Sequence, residues 1–214
     1  MEPTTVTSND KSPPVEGAAS RAPLPERAQT ICSQLGLDIA RSPWLQDGMS
    51  AQQFLDVMIE QGELVDAVTF MACVLPKREA VWWGYLCARE VRGGELTAVD
   101  ASALAAALEW VRDPTDPHRR AAKAAADATQ YATPAGLVAL ATFFTGGSLA
   151  PPDVQAVPPA EHLTAQTIRS AVVAAAVIHA PQDADVHYRG YLQTGLDVAK
   201  RKLRWDQHDT EAVL

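Results

Sequence analysis

Apolar side chains along most of the chain recur every three or four residues, which is the spacing of one face of an α-helix. Strand patterns, in which apolar and polar residues alternate between hairpin turns, do not occur. Eight or nine helices are expected, at residues 25–35, 50–62, 63–74, 76–93, 97–113, 116–131, 133–146, 164–181 and 185–204. Because short connections favour antiparallel neighbours, we expect an all-α fold of stacked antiparallel hairpins, either an irregular bundle or an α-solenoid.

The starts of several predicted helices carry residues that bind main-chain N–H groups. Ser50, followed by Gln53 three residues later, forms a capping-box pattern. Thr97 is a further predicted N-cap. Pro76 indicates another helix start, because the first turn does not need the N–H that proline lacks.

The helix predicted at residues 164–181 has both a cap and an apolar face. Thr164 is expected to cap it. Ile168, Val172 and Val177 are expected to face inward.

Two regions differ in composition from the helical segments. Residues 1–23 are rich in Pro, Ser, Thr and Glu, so we expect a disordered tail there. Residues 24–214 are expected to form a single helical domain, with a proline-rich connection at 146–163. GLDIAR at 36–41 and GLDVAK at 195–200 are too short a match to indicate a repeat protein.

Composition limits the classes of function. The chain has 214 residues, of which 47% are hydrophobic, so a sizeable core can form without metal or disulfide, and we expect no cofactor. A net charge of −8 disfavours binding to nucleic acid or to an anionic membrane, since both need a basic face. No stretch resembles a signal peptide, and the longest apolar run is about half of a bilayer span. We therefore expect a cytoplasmic protein without membrane insertion.

The segment LPKREAVWWGYLCAREV, residues 75–91, concentrates aromatic and charged side chains on one predicted helix. Trp82 and Trp83 would point about 100° apart, so burial of both needs a wide apolar face. Two interpretations stay open: both rings are core anchors, or they line an aromatic docking pocket.

Lys77 and Arg78 fall in the first turn of the same helix. Cations there oppose the positive end of the helix dipole at a cost of about 0.3–1 kcal/mol each. Acidic residues on the preceding helices are expected to compensate as ion pairs: Glu60, Glu63 and Asp66. An anion-binding site at this helix start is the alternative.

Residue types that support catalysis or metal binding lack the required spacing. Cys32, Cys73 and Cys87 contain no C-x-x-C pair, and we expect thiols without disulfides, with Cys73 and Cys87 buried. The five histidines form no metal-binding pattern, and His179 is expected to cap a helix C-terminus. No metal site and no catalytic residue is predicted.

A basic run, KRKLRW at residues 200–205, is the only cationic cluster. It is expected at the end of the last helix, where cations suit the negative end of the dipole. It is either solvated or docks an acidic partner.

Three blocks of the sequence resemble an uncharacterised bacterial family of unknown function: QFLDVMIEQGELVDAVTFMACVLPKREAVWWGYLCARE, GGSLAPP at 146–152 and YLQTGLDVA at 191–199. The resemblance covers most of the chain after the first 23 residues. It implies an association with type VI secretion genes and assigns no catalytic residue.

These observations lead us to expect a non-enzymatic protein-interaction module, an adaptor or chaperone-like accessory of a bacterial secretion system. Its partner would be another protein, either a secretion component, an effector or a toxin. The residues expected to bind it are Lys77, Arg78, Trp82, Trp83, Trp44, Arg201 and Trp205. Two alternatives stay open: an immunity protein whose acidic surface captures a basic toxin, and a small enzyme whose titratable groups converge in a pocket.

Overall fold

The computed structural model describes residues 28–35, 42–91, 96–151 and 153–206. Within these ranges the chain forms nine α-helices and no β-strand, so the predicted all-α fold is confirmed. The helices are α1 (Ala28–Leu35), α2 (Ala51–Gln61), α3 (Leu64–Val74), α4 (Lys77–Arg89), α5 (Ala98–Arg112), α6 (Asp116–Ala128), α7 (Pro134–Phe143), α8 (Leu163–Val177) and α9 (Ala184–Ala199), with a 3-10 turn at Pro181–Asp183. The predicted tail at 1–23 lies outside the described residues, as do residues 25–27 of the first predicted helix.

Local sequence signals begin and end several helices as predicted. At α2, the Ser50 hydroxyl accepts from the Gln53 N–H at 3.2 Å, and the Gln53 side chain accepts from the Ser50 N–H at 3.0 Å. Both halves of the capping box therefore form. Gly62 ends α2 with a φ of 81°, a left-handed conformation that glycine adopts without strain. At α5, the Thr97 hydroxyl accepts from the Asp100 N–H at 3.1 Å.

α4 is the central helix of the fold. Its residues 80–88 are all buried, because α5, α7, α8 and α9 pack around it. Gly84 lets α8 come close, since a β-carbon at this position would lie 2.8 Å from the Cδ1 of Ile168. A second contact joins the two segments, an ion pair between Lys77 and Glu161. Lys77 precedes Gly84 by as many residues as Glu161 precedes Ile168. α4 and α8 therefore run parallel, with their starts side by side.

Side chains from other elements bind carbonyl groups in the last turns of four helices. The pairs are Arg189 with the Ile59 carbonyl of α2 (3.0 Å), Arg78 with the Val111 and Arg112 carbonyls of α5 (2.7 and 3.0 Å), Arg119 with the Phe143 carbonyl of α7 (2.8 Å) and His187 with the Ala176 carbonyl of α8 (2.8 Å). The last contact requires a proton on the Nδ1 of His187. The sequence analysis assigned the helix-capping role to His179, which is exposed instead. These donors bind carbonyls at the negative ends of helix dipoles.

α9 ends before the basic run that was expected to continue it. The Lys202 N–H donates to the Asp197 carbonyl at 2.8 Å, and Arg201 between them has a φ of 56°. This is the hydrogen-bond pattern of a Schellman cap, in which a left-handed residue reverses the chain. The position is usually glycine, and because arginine occupies it here, the sequence gives no stop signal.

Other predicted boundaries are also wrong: α6, α7 and α8 end at Ala128, Phe143 and Val177, three or four residues before their predicted ends. α4 ends at Arg89, several residues before the predicted stop at Gly93-Gly94, which lies outside the described residues. Thr164 does not cap α8, because α8 begins one residue earlier, after His162. The Thr164 hydroxyl is buried one turn before Ile168 on the same face and has no hydrogen bond to the described residues.

The proline-rich connection between α7 and α8 is closed at its base. The Leu149 N–H donates to the Val157 carbonyl at 2.8 Å. The Val157 N–H in turn donates to the Ser148 hydroxyl at 3.0 Å. Val154, within the segment that these bonds close, is exposed.

No single described helix is both long and apolar enough to cross a membrane. The segments Leu163–Val177 and Pro181–Ala199 reach that length and composition only together, across a bend of 112°.

Candidate interaction site

Trp82 and Trp83 are core residues of α4, with exposed fractions of 1% and 0%. The Trp82 indole donates to the Leu203 carbonyl at 3.1 Å, and the Trp83 indole donates to the Tyr191 carbonyl at 2.7 Å. Neither ring is exposed to a partner while these contacts are in place. Of the two interpretations that the sequence left open, the structure shows burial in the core for both rings, with Trp82 covered in part by the segment that contains Leu203.

Lys77 pairs with an acidic residue that the sequence analysis did not name. Its Nζ lies 3.0 Å from Glu161, just before α8. An exposed pair of this kind is worth at most about 1 kcal/mol. The expected partners, Glu60, Glu63 and Asp66, form no salt bridge within the described part of the chain. They lie near the start of α3, and most of that helix separates them from Lys77.

Arg78 binds the end of α5. Its Nε and Nη2 donate to the Val111 and Arg112 carbonyls at 2.7 and 3.0 Å. The guanidinium therefore lies at the negative end of the α5 dipole, which offsets its unfavourable place in the first turn of α4. Burial lowers the pKa of Arg78 from its usual value, and nearby carboxylates oppose this change.

Residues 200–206, the C-terminal strap, lie against α4 and bring Trp205 to Arg78. The guanidinium carbon of Arg78 is 4.5 Å from the centroid of the Trp205 ring, a cation–π distance. Leu203 and Trp205 are half-buried against the core, and the other strap residues, including Arg201, are exposed. The basic run is thus a segment of turns and bends after α9, not the charged last turn of a helix.

The structure brings together some of the predicted binding residues. Arg78, Trp82 and Trp205 meet with Leu203 in one place, the strap junction, and Arg201 belongs to the same strap. Trp83 faces α9, and Lys77 pairs with Glu161. Trp44 lies between α1 and α2, half-buried against the core. The seven residues therefore do not form one continuous surface.

A second charged cluster, missed by the sequence analysis, holds the proline-rich connection. Arg119 in α6 is buried and donates twice to Asp116, at 2.8 and 2.6 Å. It also donates to the Phe143 carbonyl at 2.8 Å and to the Ser148 carbonyl at 3.0 Å. Gly147, with a φ of 66°, leaves room for the guanidinium, since a β-carbon there would lie 2.9 Å from it. The DPHRR spacing, Asp followed by Arg three and four residues later, is the signal that could have indicated it.

The same cluster determines the charge of Asp116. Its second carboxylate oxygen accepts from Arg120 at 2.8 Å. Burial raises the pKa of Asp116, but the hydrogen bonds from Arg120 and Arg119 outweigh this effect and lower the pKa below its usual 3.8. Asp116 is therefore ionised at neutral pH and does not serve as a general acid.

The cysteines are unsuited to thiolate chemistry. Cys32 and Cys87 are buried and Cys73 is half-buried. Burial raises the pKa of Cys73 to about 11, and burial also raises the pKa values of Cys32 and Cys87. These thiols are protonated at neutral pH. Over the described ranges, no three His, Cys, Asp or Glu side chains are grouped to hold a metal ion.

An exposed apolar surface, also missed by the sequence analysis, lies where α8 meets α9. Val177, Ile178 and Val186 are 37%, 42% and 70% exposed, and we call them the apolar corner. The contact between His187 and the end of α8 holds the two turns together. Val177 was expected to face inward with Ile168, but nine residues on an α-helix amount to a rotation of about 900°, which places it on the opposite face.

Four exposed carboxylates lie at the same end of the bundle as the apolar corner. They are Asp183, Asp185, Glu60 and Glu63. The first two lie just before and within the first turn of α9, and the bond from Arg189 to Ile59 joins α9 to the end of α2, where the other two lie. None of the four forms a salt bridge with any described residue. This end of the bundle therefore carries four carboxylates, which we call the negative rim, together with the exposed cation of Arg189.

The fold and these surfaces define an all-α protein of packed helical hairpins, with the strap junction at the start of α4 and the apolar corner at the opposite end, where α8 finishes. The chain belongs to the family of unknown function DUF6931, whose model matches residues 54–199. The predicted membership in a family of unknown function is thereby confirmed, and the strap follows the matched range. No curated protein and no solved structure significantly matches the chain.

Proposed function

We propose that the protein is a non-enzymatic interaction module that binds a basic segment of another protein at the apolar corner. The observation that carries this proposal is the exposure of Val177, Ile178 and Val186 around the turn between α8 and α9, at the end of the bundle that carries the negative rim. Adjoining exposed apolar side chains with a polar rim are typical of protein-binding surfaces. The negative rim favours a partner with lysine or arginine around its apolar residues, and it speeds the encounter with such a partner.

The proposed cellular role is that of an adaptor or chaperone-like accessory in a bacterial secretion system of type VI, acting in the cytoplasm. The resemblance of the three sequence blocks supports this setting. A non-enzymatic role is supported by the protonated state of the cysteine thiols and by the engagement of Asp116 with two arginines. The net charge of −8 supports a protein partner over a nucleic acid.

An immunity protein that neutralises a basic toxin is the second candidate. The unpaired carboxylates of Glu60, Glu63, Asp183 and Asp185 favour it, because acidic surfaces capture basic enzymes rapidly. The two roles differ in their effect on the partner. An immunity protein abolishes the activity of the bound enzyme, whereas an adaptor leaves the partner active or folded for delivery.

The test compares capture by three versions of the full chain: wild type, Val186→Lys and Val154→Lys. Both valines are exposed, at 70% and 56%, but Val154 lies in the proline-rich connection, away from the apolar corner. Neither change should alter stability by more than about 0.5 kcal/mol. We expect wild type and Val154→Lys to capture the same protein, and Val186→Lys to lose it by about tenfold or more.

The captured protein is then purified and titrated against the chain. Its dissociation constant should rise with salt, because the rim attracts it through charges that salt screens. A partner held equally by all three versions, or one whose affinity ignores salt, contradicts the proposed site. Failure of every version to capture a protein contradicts the interaction role itself.

A further inference from the structure

The contacts of the strap with α4 have the form of peptide recognition. The Trp82 indole donates to a main-chain carbonyl, that of Leu203, at 3.1 Å. One turn earlier on α4, Arg78 stacks on the ring of Trp205 at 4.5 Å. α4 therefore binds one carbonyl and one aromatic ring of a non-helical segment, while the charged strap residues remain exposed.

The α4 side of this contact is held in place without the strap. The guanidinium of Arg78 is fixed by its bonds to the Val111 and Arg112 carbonyls. The Trp82 ring stacks on Tyr85, with ring centroids 5.2 Å apart and an angle of 13° between the planes. Both groups thus keep the geometry needed to bind a carbonyl and an aromatic ring, and a preorganised site of this kind loses little entropy on binding.

The strap reverses direction at the end of α9, where its first N–H groups bond to carbonyls of the last turn. It leaves α9 through Arg201, whose left-handed conformation is rare for a residue with a side chain. Its side chains form ion pairs with Asp197 in the preceding turn and, within the strap, between Arg204 and Asp206. Arg78 and Trp82 lie inside the range matched by the family, and the strap lies beyond it.

We propose that Arg78 and Trp82 form a peptide-binding site, that residues 203–206 occupy it as a displaceable internal ligand, and that its partner is a protein segment with an aromatic residue after a leucine. The partner segment would offer a main-chain carbonyl to Trp82 and an aromatic ring to Arg78, in place of Leu203 and Trp205. The site goes beyond the proposed function, because it lies at the opposite end of the bundle from the apolar corner. Either surface can therefore fail its test without the other.

The test uses the full chain and a labelled synthetic peptide with the sequence of residues 200–206, Lys-Arg-Lys-Leu-Arg-Trp-Asp. In wild type the strap competes with this peptide at a high effective concentration. The variant Trp205→Ala weakens the competitor, so its affinity for the peptide, measured by fluorescence anisotropy, should exceed that of wild type by about tenfold or more. A peptide with Ala in place of Trp keeps the basic charge and should lose the gain.

The double variant Trp205→Ala, Arg78→Met separates site binding from attraction of a basic peptide to an acidic protein. It should bind the peptide as weakly as wild type does. Equal binding to wild type and to Trp205→Ala, or equal binding of the two peptides, would overturn the proposal. The proposal would also be overturned if wild type formed a dimer that the peptide converts to monomer. The strap of a second copy, and not the strap of the same chain, would then occupy the site.

Hydrogen exchange of wild type provides a measurement that needs no variant to fold. If the strap is displaceable, its amides should exchange at least about tenfold faster than those of α4 beneath it, through local opening. Exchange of strap and α4 amides at one common rate would show that the strap opens only when the protein unfolds. That result would contradict a displaceable strap.

Discussion

Gly195 of α9 lies directly against the indole of Trp83 in α4, so that a β-carbon on Gly195 would be 3.1 Å from the Nε1 of Trp83. The missing side chain lets the indole reach the carbonyl of Tyr191, one turn earlier on α9, and donate a hydrogen bond of 2.7 Å. Met71 of α3 lies equally close to the same position, at 3.1 Å. Three helices therefore meet where Gly195 has no side chain.

Gly195→Ala should destabilise the protein by about 1–3 kcal/mol, because the new methyl group must displace Trp83 or Met71 in a packed core. The free energy of unfolding from urea titration measures this. Gly190→Ala is the matched control in the same helix, since no atom lies within 4 Å of its added β-carbon. The control should be neutral or stabilise by up to about 1 kcal/mol, because alanine favours the helix. Equal effects of the two changes would contradict the packing argument.

Gly136→Ala should be more damaging than Gly195→Ala. A β-carbon at Gly136, in the first turn of α7, would lie 1.8 Å from the Oγ1 of Thr129. That hydroxyl also bonds to the Ala126 carbonyl at 2.7 Å, so it cannot move away without losing the bond. We expect a loss of about 3 kcal/mol or more in unfolding free energy.

A double-mutant cycle with Thr129→Ala tests the cause of this loss. Removing the hydroxyl should reduce the cost of Gly136→Ala by at least about 1 kcal/mol. Gly146→Ala, whose added β-carbon meets no atom within 4 Å, is the control. Additive costs in the cycle would show that Thr129 is not the obstacle.

Arg78→Ala should cost about 1.5–3 kcal/mol, since it removes charged hydrogen bonds to two carbonyls at the end of α5. Arg112→Ala is the control, because among the described residues its side chain bonds to Glu109 alone, at a long 3.4 Å. Its removal should cost less than about 0.5 kcal/mol. Thermal or urea unfolding of both variants measures the difference, and similar losses would refute a special role for Arg78.

Asp116 predicts a loss of stability in acid. Because its pKa in the folded chain lies below the usual 3.8, ionised Asp116 stabilises the fold above that value, and the contribution disappears as the pH falls through the folded pKa. Asp116→Asn cannot ionise. Its deficit in melting temperature relative to wild type should be largest near neutral pH and shrink below about pH 4. Calorimetry over this range measures the deficit, and a constant difference would disprove the link.

Features that depend on neighbours in sequence were predictable. The bonds between Ser50 and Gln53, and the left-handed Gly62, involve residues within one turn or a residue type with one strong preference. Burial of Trp82 and Trp83 was only one of two open interpretations, because helix periodicity does not state how many neighbours surround a helix.

Features that depend on distant residues were not predictable. Arg78 finds its carbonyls 33 and 34 positions away, and nothing in its local pattern distinguishes them from acidic partners. The prediction of a helix through the strap failed for a different reason. Arg201 takes a conformation that sequence reasoning reserves for glycine, so the helix was extended through it. The strap junction depends on both of these features, one long-range and one exceptional.

The donors that bind the ends of α2, α5, α7 and α8 have a consequence for how the molecule opens. A helix in isolation frays from its ends, and its terminal amides exchange with solvent independently of the rest. Here each of these ends is bound by a side chain of another helix: Arg189, Arg78, Arg119 or His187. Loosening one end therefore removes a hydrogen-bond partner from a second helix. We therefore expect the helices to open together as one cooperative unit, with local motion confined to the segments outside these contacts.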